Sequence, residues 1–247
     1  MCRGYRRESG SNKGDLDVWG ELVMDSLRSI LGIGLLAALM IGMVGVCLGA
    51  DGDLLIVGEG GISTVNESAL NSTIGQISLG SLSAVEKDGL LYMAEEEKLA
   101  GDVYQTLGDK WNLNIFDNIG AAERTHEAAV LSLIARYGLN DPTTGEVGKF
   151  NNATLQKAYD ELVSKGAVSL KDALDVGTEI EEIDIIDLQK RIAQTKMDDI
   201  RLVYENLMRG SRNHLRAFVS NLNGRGYEYQ PMHLSKEEYS TIVSGSN

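Results

Sequence analysis

The sequence predicts an all-α protein built on four long helices. Proline is scarce, two in 247 residues, and Ala, Leu, Glu and Ile are plentiful. No alternating strand pattern of any length competes beyond residue 82. Four windows, each about 22 to 26 residues long, repeat apolar side chains at i, i+3, i+4 and i+7 between recognisable start and stop signals.

The first helix is expected over about residues 83–107. Ser83 and Glu86 have capping-box spacing, and Gly108 supplies a stop. The second runs over about 114–136 and ends before Gly138. A Gly-, Asp- and Thr-rich loop follows, then a shorter helix over 153–165. Ser169 caps the third long helix, to about Gln194, and the fourth covers about 197–222, with Gly224 beyond it. A small terminal helix is expected over 234–243, with Ser235 as its cap and Glu238 three residues on.

The N-terminal part reads differently. Residues 1–29 are polar, and Met24 is an alternative start. Residues 30–50 are apolar and uncharged, about the length of a membrane span, and end in Gly49 and Ala50 as a cleavage site does. They are expected to be a signal peptide or a membrane anchor, which places the body outside the cytoplasm. Residues 51–81, rich in Gly, Ser and Asn, read as a flexible linker containing at most a short strand, and residues 82–247 as the folded body.

The organising stretch is the second long helix. Phe116, Ile119, Glu123, His126, Val130, Leu133 and Tyr137 form one stripe, with a carboxylate and an imidazole on an otherwise apolar face. A buried carboxylate without a partner costs several kcal/mol or stays protonated. Glu-x-x-His projecting into a helical bundle is a di-iron and di-manganese ligand pattern. On the last long helix, Ile200, Val203, Leu207, Ser211, His214 and Phe218 form a matching stripe. On the third, Leu170, Leu174, Gly177, Glu181, Asp184 and Leu188 share a face. The neighbouring face, through Ala173, Val176, Ile180, Ile183 and Asp187, is more apolar, so Glu182 is an alternative to Glu181. On the first, Glu96 and Glu97 both border the arc of Met93, Ala100, Val103 and Leu107, and periodicity does not choose between them. Glu95, Lys98 and Asp102 are expected to face solvent. Tyr104 reads as a core tyrosine, with donation to the acids as the functional alternative. Arg209, Arg212 and Arg216 are candidate partners for the acids, which defines a competing, metal-free Glu/Arg/His network.

These motifs carry a resemblance. Glu97 followed by Ala100 and Tyr104, then "IFDNIGAAERTH", resembles the first half of a rubrerythrin-type ferritin-like bundle. "MAEEEKLAGDVY", "IEEIDIIDL" and "RGSRNHLRAF" resemble, more closely, an uncharacterised ferritin-like domain family of archaea and bacteria. The resemblance spans about residues 82–243 and implies a ferritin-like four-helix bundle with additional short helices. It implies Glu97, Glu123, His126, Glu181 and His214 as metal ligands, with Asp184 an extra or bridging one. The chain departs from the pattern at Ser211, where a second Glu-x-x-His would place its glutamate. Glu182 or Asp184 is left to fill that gap.

Composition narrows the chemistry. The only cysteines are Cys2 and Cys47, so residues 51–247 hold no disulfide, Cys-ligated zinc or iron–sulfur cluster. No haem is expected either. The resident metal is expected to be Fe or Mn, with Zn as an alternative, because carboxylates and imidazoles suit them. The chemistry such a site supports is that of a di-metal oxidoreductase or peroxidase acting on peroxide, oxygen or iron, with electrons from an external donor. A net charge of −13 argues against nucleic acid as a partner. A homo-oligomer is compatible with the fold.

Overall fold

The computed structural model describes residues 54–58 and 62–245. The expected polar region and the signal or anchor segment at 1–50 lie outside the described residues. Among the described residues, no helix is long and apolar enough to cross a membrane.

The described chain opens with an antiparallel pair, β1 (Leu55–Val57) and β2 (Ser63–Val65), in which Leu55 faces Val65. Helix α1 (Glu67–Gln76) follows, its first turn capped by the Asn66 side chain accepting from the Ala69 N–H. Residues 55–57 and 63–76, where composition suggested a linker, therefore form a strand pair and a helix. Leu55, Val65, Leu70 and Ile74 are buried in the main body, and the Val65 N–H donates to Thr125 Oγ1 at 2.9 Å. Glycine and serine density hid four apolar anchors spaced widely enough to pin the segment. Each buried Leu, Ile or Val contributes about 1.5–3 kcal/mol.

The four long helices are α2 (Ala84–Trp111), α3 (Asn114–Arg136), α5 (Leu170–Gln194) and α6 (Asp198–Asn223). Helices α2 and α3 pack along their lengths, as do α5 and α6, and the two pairs meet through α2 with α5 and α3 with α6. The shorter α4 (Ala153–Gly166) covers α2 and α5, and α7 (Lys236–Ser244) packs on α6. The core at one end of the four-helix body joins Leu90, Met93, Val130, Leu133, Leu188, Val203 and Leu207. There the Asp199 carboxylate of α6 accepts from Arg136 Nε at 2.9 Å and the Tyr137 hydroxyl at 2.8 Å at the end of α3.

Two local expectations change. Helix α2 does not stop at Gly108 but runs one more turn to Trp111 and ends on Asn112, in the left-handed conformation at φ 49°. Gly108 serves a crossing instead. A Cβ there would lie 3.0 Å from Asp117 Oδ1 and 3.2 Å from Phe116 Cβ, so its absence lets α3 approach. And Glu95, Lys98 and Asp102, expected in solvent, are at most 5% exposed. The loop before α4 folds over them. Lys98 Nζ donates to Asp102 and, at 2.9 Å, to the Glu146 carbonyl, the Gly148 N–H donates to Asp102, and the Asn151 and Asn152 N–H groups donate to Glu95. These charges are buried against one another and, from outside the helix, against backbone, Arg124 and, for Lys98, the Phe150 ring at 4.5 Å, and helical periodicity does not register that.

Candidate metal centre

Six side chains from four helices meet inside the body. Helix α3 supplies Glu123 and His126, one turn apart on its inner face, and α6 supplies His214. Helix α2 supplies Glu97, and α5 supplies Glu181 and Asp184. None is more than 5% exposed. Glu123 is the hub. One of its oxygens, Oε2, lies 2.8 Å from His126 Nδ1, and the other, Oε1, lies 2.8 Å from His214 Nδ1. Beyond His126 stands Glu97 at 3.5 Å, and beyond His214 stands Glu181 at 3.7 Å. The imidazole rings stack with centroids 5.3 Å apart and planes 18° from parallel. Asp184 acts electrostatically on the Glu97, Glu123 and His126 side.

The outer contacts hold these groups in place. The Tyr104 hydroxyl donates to Glu181 Oε1 at 2.7 Å and lies 3.2 Å from the Gly177 carbonyl. Ser211, where a second glutamate was missing from the pattern, donates its hydroxyl to Asp184. A serine of α6 thus holds an acid of α5. Glu182 faces elsewhere, accepting from the backbone N–H groups of Met232, His233 and Leu234 at 3.1, 2.7 and 2.9 Å. Glu97 approaches the cluster, while the neighbouring Glu96 lies against Asp187. Among the arginines proposed as partners, Arg209 contacts Asn206, and Arg216 contacts Asn213 and the Ile242 carbonyl. Arg124 of α3 pairs with Asp102.

Three residues of the site had no clear signal in the sequence. Ser63 of β2 covers His214, whose Nε2 lies 3.1 Å from the Ser63 nitrogen and 3.2 Å from its carbonyl oxygen. Asn213 fixes Ser63 by donating to its hydroxyl. Gly210 makes room for His126. A Cβ there would fall 2.7 Å from the ring's Cε1 and Nε2. A serine in a glycine-rich stretch, some 150 positions away, cannot be connected to a histidine by spacing.

Electrostatics follow from this geometry. Burial raises the pKa of Glu97 to about 7 against the opposing pull of His126. Burial, then the Glu123 charge, raises Glu181 to about 8. Burial and then Glu97 push Asp184 well up. Burial acts on Glu123 in the same sense, but His214 and His126 reverse it and hold this carboxyl below the usual range. Burial opposes charge on the imidazoles, yet Glu123 and the flanking acids raise both, His214 to about 9. With no cation among them, these groups would be neutralised by protons.

Two divalent cations would do the same. Glu97, Glu123, Glu181 and Asp184 together carry four negative charges when ionised, with both imidazoles neutral. The chemistry of the donor set, carboxylates and imidazoles, suits such ions. Ligating atoms of Glu123, His126 and His214 lie within 4.8 Å of one another. Within that set, Glu123 lies 2.8 Å from the Nδ1 of each histidine. Both His126 nitrogens, Glu97 Oε1 and Asp184 Oδ1 are buried without a hydrogen-bond partner. His126 Nδ1 and Glu123 Oε2 form a buried ion pair at 2.8 Å. In the tautomer where His214 Nε2–H donates to the Ser63 carbonyl, the Nδ1 lone pair faces the cluster.

Fold and site define a helical protein with a buried carboxylate–histidine cluster. The chain belongs to the family described as Uncharacterized protein domain (DUF2202), which it matches over residues 86–246. It is similar to Uncharacterized protein MJ0754 of Methanocaldococcus jannaschii, with 52% identity over 166 residues, covering 67% of this chain and 90% of the relative. The crystal structure of hypothetical protein MJ0754 from Methanococcus jannaschii superposes with a TM-score of 0.68 at 50% identity, covering 69% of this chain and 98% of that one.

Proposed function

We propose that this protein is a ferritin-like four-helix bundle holding a pair of metal ions, Fe or Mn with Zn as an alternative, outside the cytoplasm. The observation that carries the proposal is Glu123, which offers one oxygen to the Nδ1 of His126 and the other to the Nδ1 of His214. A carboxylate so placed would be shared by both ions. Glu97, His126 and Asp184 would complete one half, and Glu181 and His214 the other. Paired Fe or Mn ions supply redox chemistry toward oxygen or peroxide, which makes an oxidoreductase the preferred class of activity.

The chain's own residues prepare such chemistry. Burial of all six groups excludes bulk water, and Ser63 closes the His214 side. Tyr104 keeps a proton on its oxygen, because burial and then Glu181 raise its pKa, and it donates that proton to Glu181. With no cysteine after Cys47, electrons would come from a separate donor. The apolar run at 30–50 supports export or membrane anchoring, and the acidic charge supports partners other than nucleic acid.

Metal analysis of the purified protein tests this reading. About two equivalents of Fe or Mn per chain are expected, with a lower content in His126→Ala and in His214→Ala. Less than about half an equivalent after both aerobic and anaerobic purification would favour an exported helical module with a metal-free Glu/His network.

A further inference from the structure

Two short strands stand against the cluster on the side between α3 and α6. Strand β2 packs on both helices there. The Val65 N–H donates to Thr125 Oγ1 of α3 at 2.9 Å, and on the α6 side Asn213 donates to the Ser63 hydroxyl. The Ser63 backbone lies against His214 Nε2, its nitrogen at 3.1 Å and its carbonyl oxygen at 3.2 Å. Strand β1 covers the other imidazole. Leu55 pairs with Val65 across the sheet. Its Cδ1 lies 3.8 Å from the point where a Cβ on Gly210 would stand, and His126 Nε2 lies 2.7 Å from that same point. Both rings thus turn Nδ1 toward Glu123 and their far edges toward the strands.

This wall is built differently from the others. Elsewhere long helices pack on long helices, α2 on α3, α5 on α6 and α2 on α5, and α4 adds a second layer over α2 and α5. Helices α3 and α6 also meet, but the strands complete the wall between them. Each strand is three residues long, and a two-stranded ribbon is marginal on its own in water. Its hold on the body is the buried Leu55 and Val65 with a few hydrogen bonds, while Ile56 and Val57 stay half exposed. Local openings draw on segments held this lightly.

We propose that β1 and β2 form the door of the cluster, and that divalent metal ions enter when β2 lifts from the seam between α3 and α6. With β2 displaced, His214 loses the backbone that fixes its ring. The ring then rotates about its side-chain bonds, and the cluster opens to solvent with the four helices in place. What passes through the door rests on the metal-centre reading above, and the test separates the two.

Hydrogen exchange of the full apo protein and its rate of Mn2+ loading, read as loss of the free-ion EPR signal, test the door together. In wild type the Val65 amide should exchange well before those of Ala129 and Val130, which lie in the core of α3. Thr125→Val removes the acceptor of the Val65 N–H. It should speed both Val65 exchange and Mn2+ loading about tenfold, the upper end of what one hydrogen bond contributes. Leu55→Ala removes a buried apolar anchor instead and should speed both at least as much. It provides the readout if Thr125→Val does not fold, which circular dichroism checks. Trp111→Phe loosens a different wall, by losing the 2.9 Å hydrogen bond from Trp111 Nε1 to the Gly166 carbonyl of α4, and should leave the loading rate unchanged. Loading at the wild-type rate in both strand variants, or equal acceleration in Trp111→Phe, overturns the door and leaves the metal centre standing. So does a wild-type Val65 amide that exchanges only together with Ala129 and Val130. No Mn2+ uptake by wild type overturns both.

Discussion

Ser63 sits over His214, with its backbone nitrogen 3.1 Å and its carbonyl oxygen 3.2 Å from the ring's Nε2, across a separation of 151 residues. A residue from a stretch that reads as a tether thus sets the orientation of a buried imidazole. The strand in turn is fixed by Asn213, the neighbour of His214. Asn213→Ala is expected to cost about 1–3 kcal/mol of stability through two lost hydrogen bonds, to Ser63 and from Arg216. It should also weaken metal retention about tenfold by loosening an outer-shell partner. Chemical denaturation and competition with a chelator measure the two effects, and unchanged retention would leave Ser63 a merely structural cover.

Gly210 leaves the space that the His126 ring occupies. Gly210→Ala places a methyl 2.7 Å from the imidazole, so the ring or the α3–α6 approach must shift. Overpacking of this kind costs about 1–3 kcal/mol. The thermal midpoint should fall and the metal content should drop with it. Wild-type values for both would mean that the ring has space the structure does not show.

Glu181 and Glu182 are adjacent in sequence and opposite in role. Glu181→Gln should lower metal content while leaving the C-terminal segment in place. Glu182→Ala should do the reverse, because its carboxylate accepts three backbone N–H groups of residues 232–234. Leaving those donors unpaired costs on the order of 2–4 kcal/mol locally. Amide hydrogen exchange in α7 should rise sharply in Glu182→Ala. If the two variants behave alike, the assignment of faces on α5 is wrong.

The capping box of α2 gives a pH dependence away from the cluster. Burial alone would raise the Glu86 pKa. Hydrogen bonds from the Lys196 and Ser83 backbone and from the Ser83 and Thr195 side chains overturn that and bring it from 4.5 down to about 2. A lowered folded-state pKa stabilises above the unfolded value and loses that contribution as pH falls through the folded one. Because Glu86 caps a helix end beside solvent, screening reduces the contribution to about 1–2 kcal/mol. Glu86→Gln should therefore be less stable than wild type at pH 7, and the gap should close between about pH 4.5 and pH 2. A gap that does not change with pH would assign the effect to packing.

Much of the architecture was legible because it follows from local chemistry. Ser83 with Glu86, Gly138, Ser169 and Ser235 mark helix ends with side chains that satisfy terminal N–H groups or take up the left-handed turn, and the helices fall where those signals place them. Glu123, His126 and His214 stood out because each interrupts an apolar stripe. Other features depend on long-range partners. Glu96 and Glu97 are one residue apart on one helix, and only the placement of α5 separates them. Ser211, where the pattern would have a glutamate, instead donates to Asp184 because α5 and α6 meet there. Glu95, Lys98 and Asp102 look solvated until a loop about 50 residues later closes over them. Ser63 and Gly210 act through backbone and through the lack of a side chain, which hydrophobic pattern does not encode.

The most direct measurement is an anomalous difference map, at the metal edge, from crystals of the protein loaded with Fe2+ or Mn2+. Two strong peaks should flank the Glu123 carboxylate, one beside His126 Nδ1 and Glu97, the other beside His214 Nδ1 and Glu181. A map with no peak within bonding distance of Glu123, from protein shown to have been exposed to either metal, would contradict the metal centre.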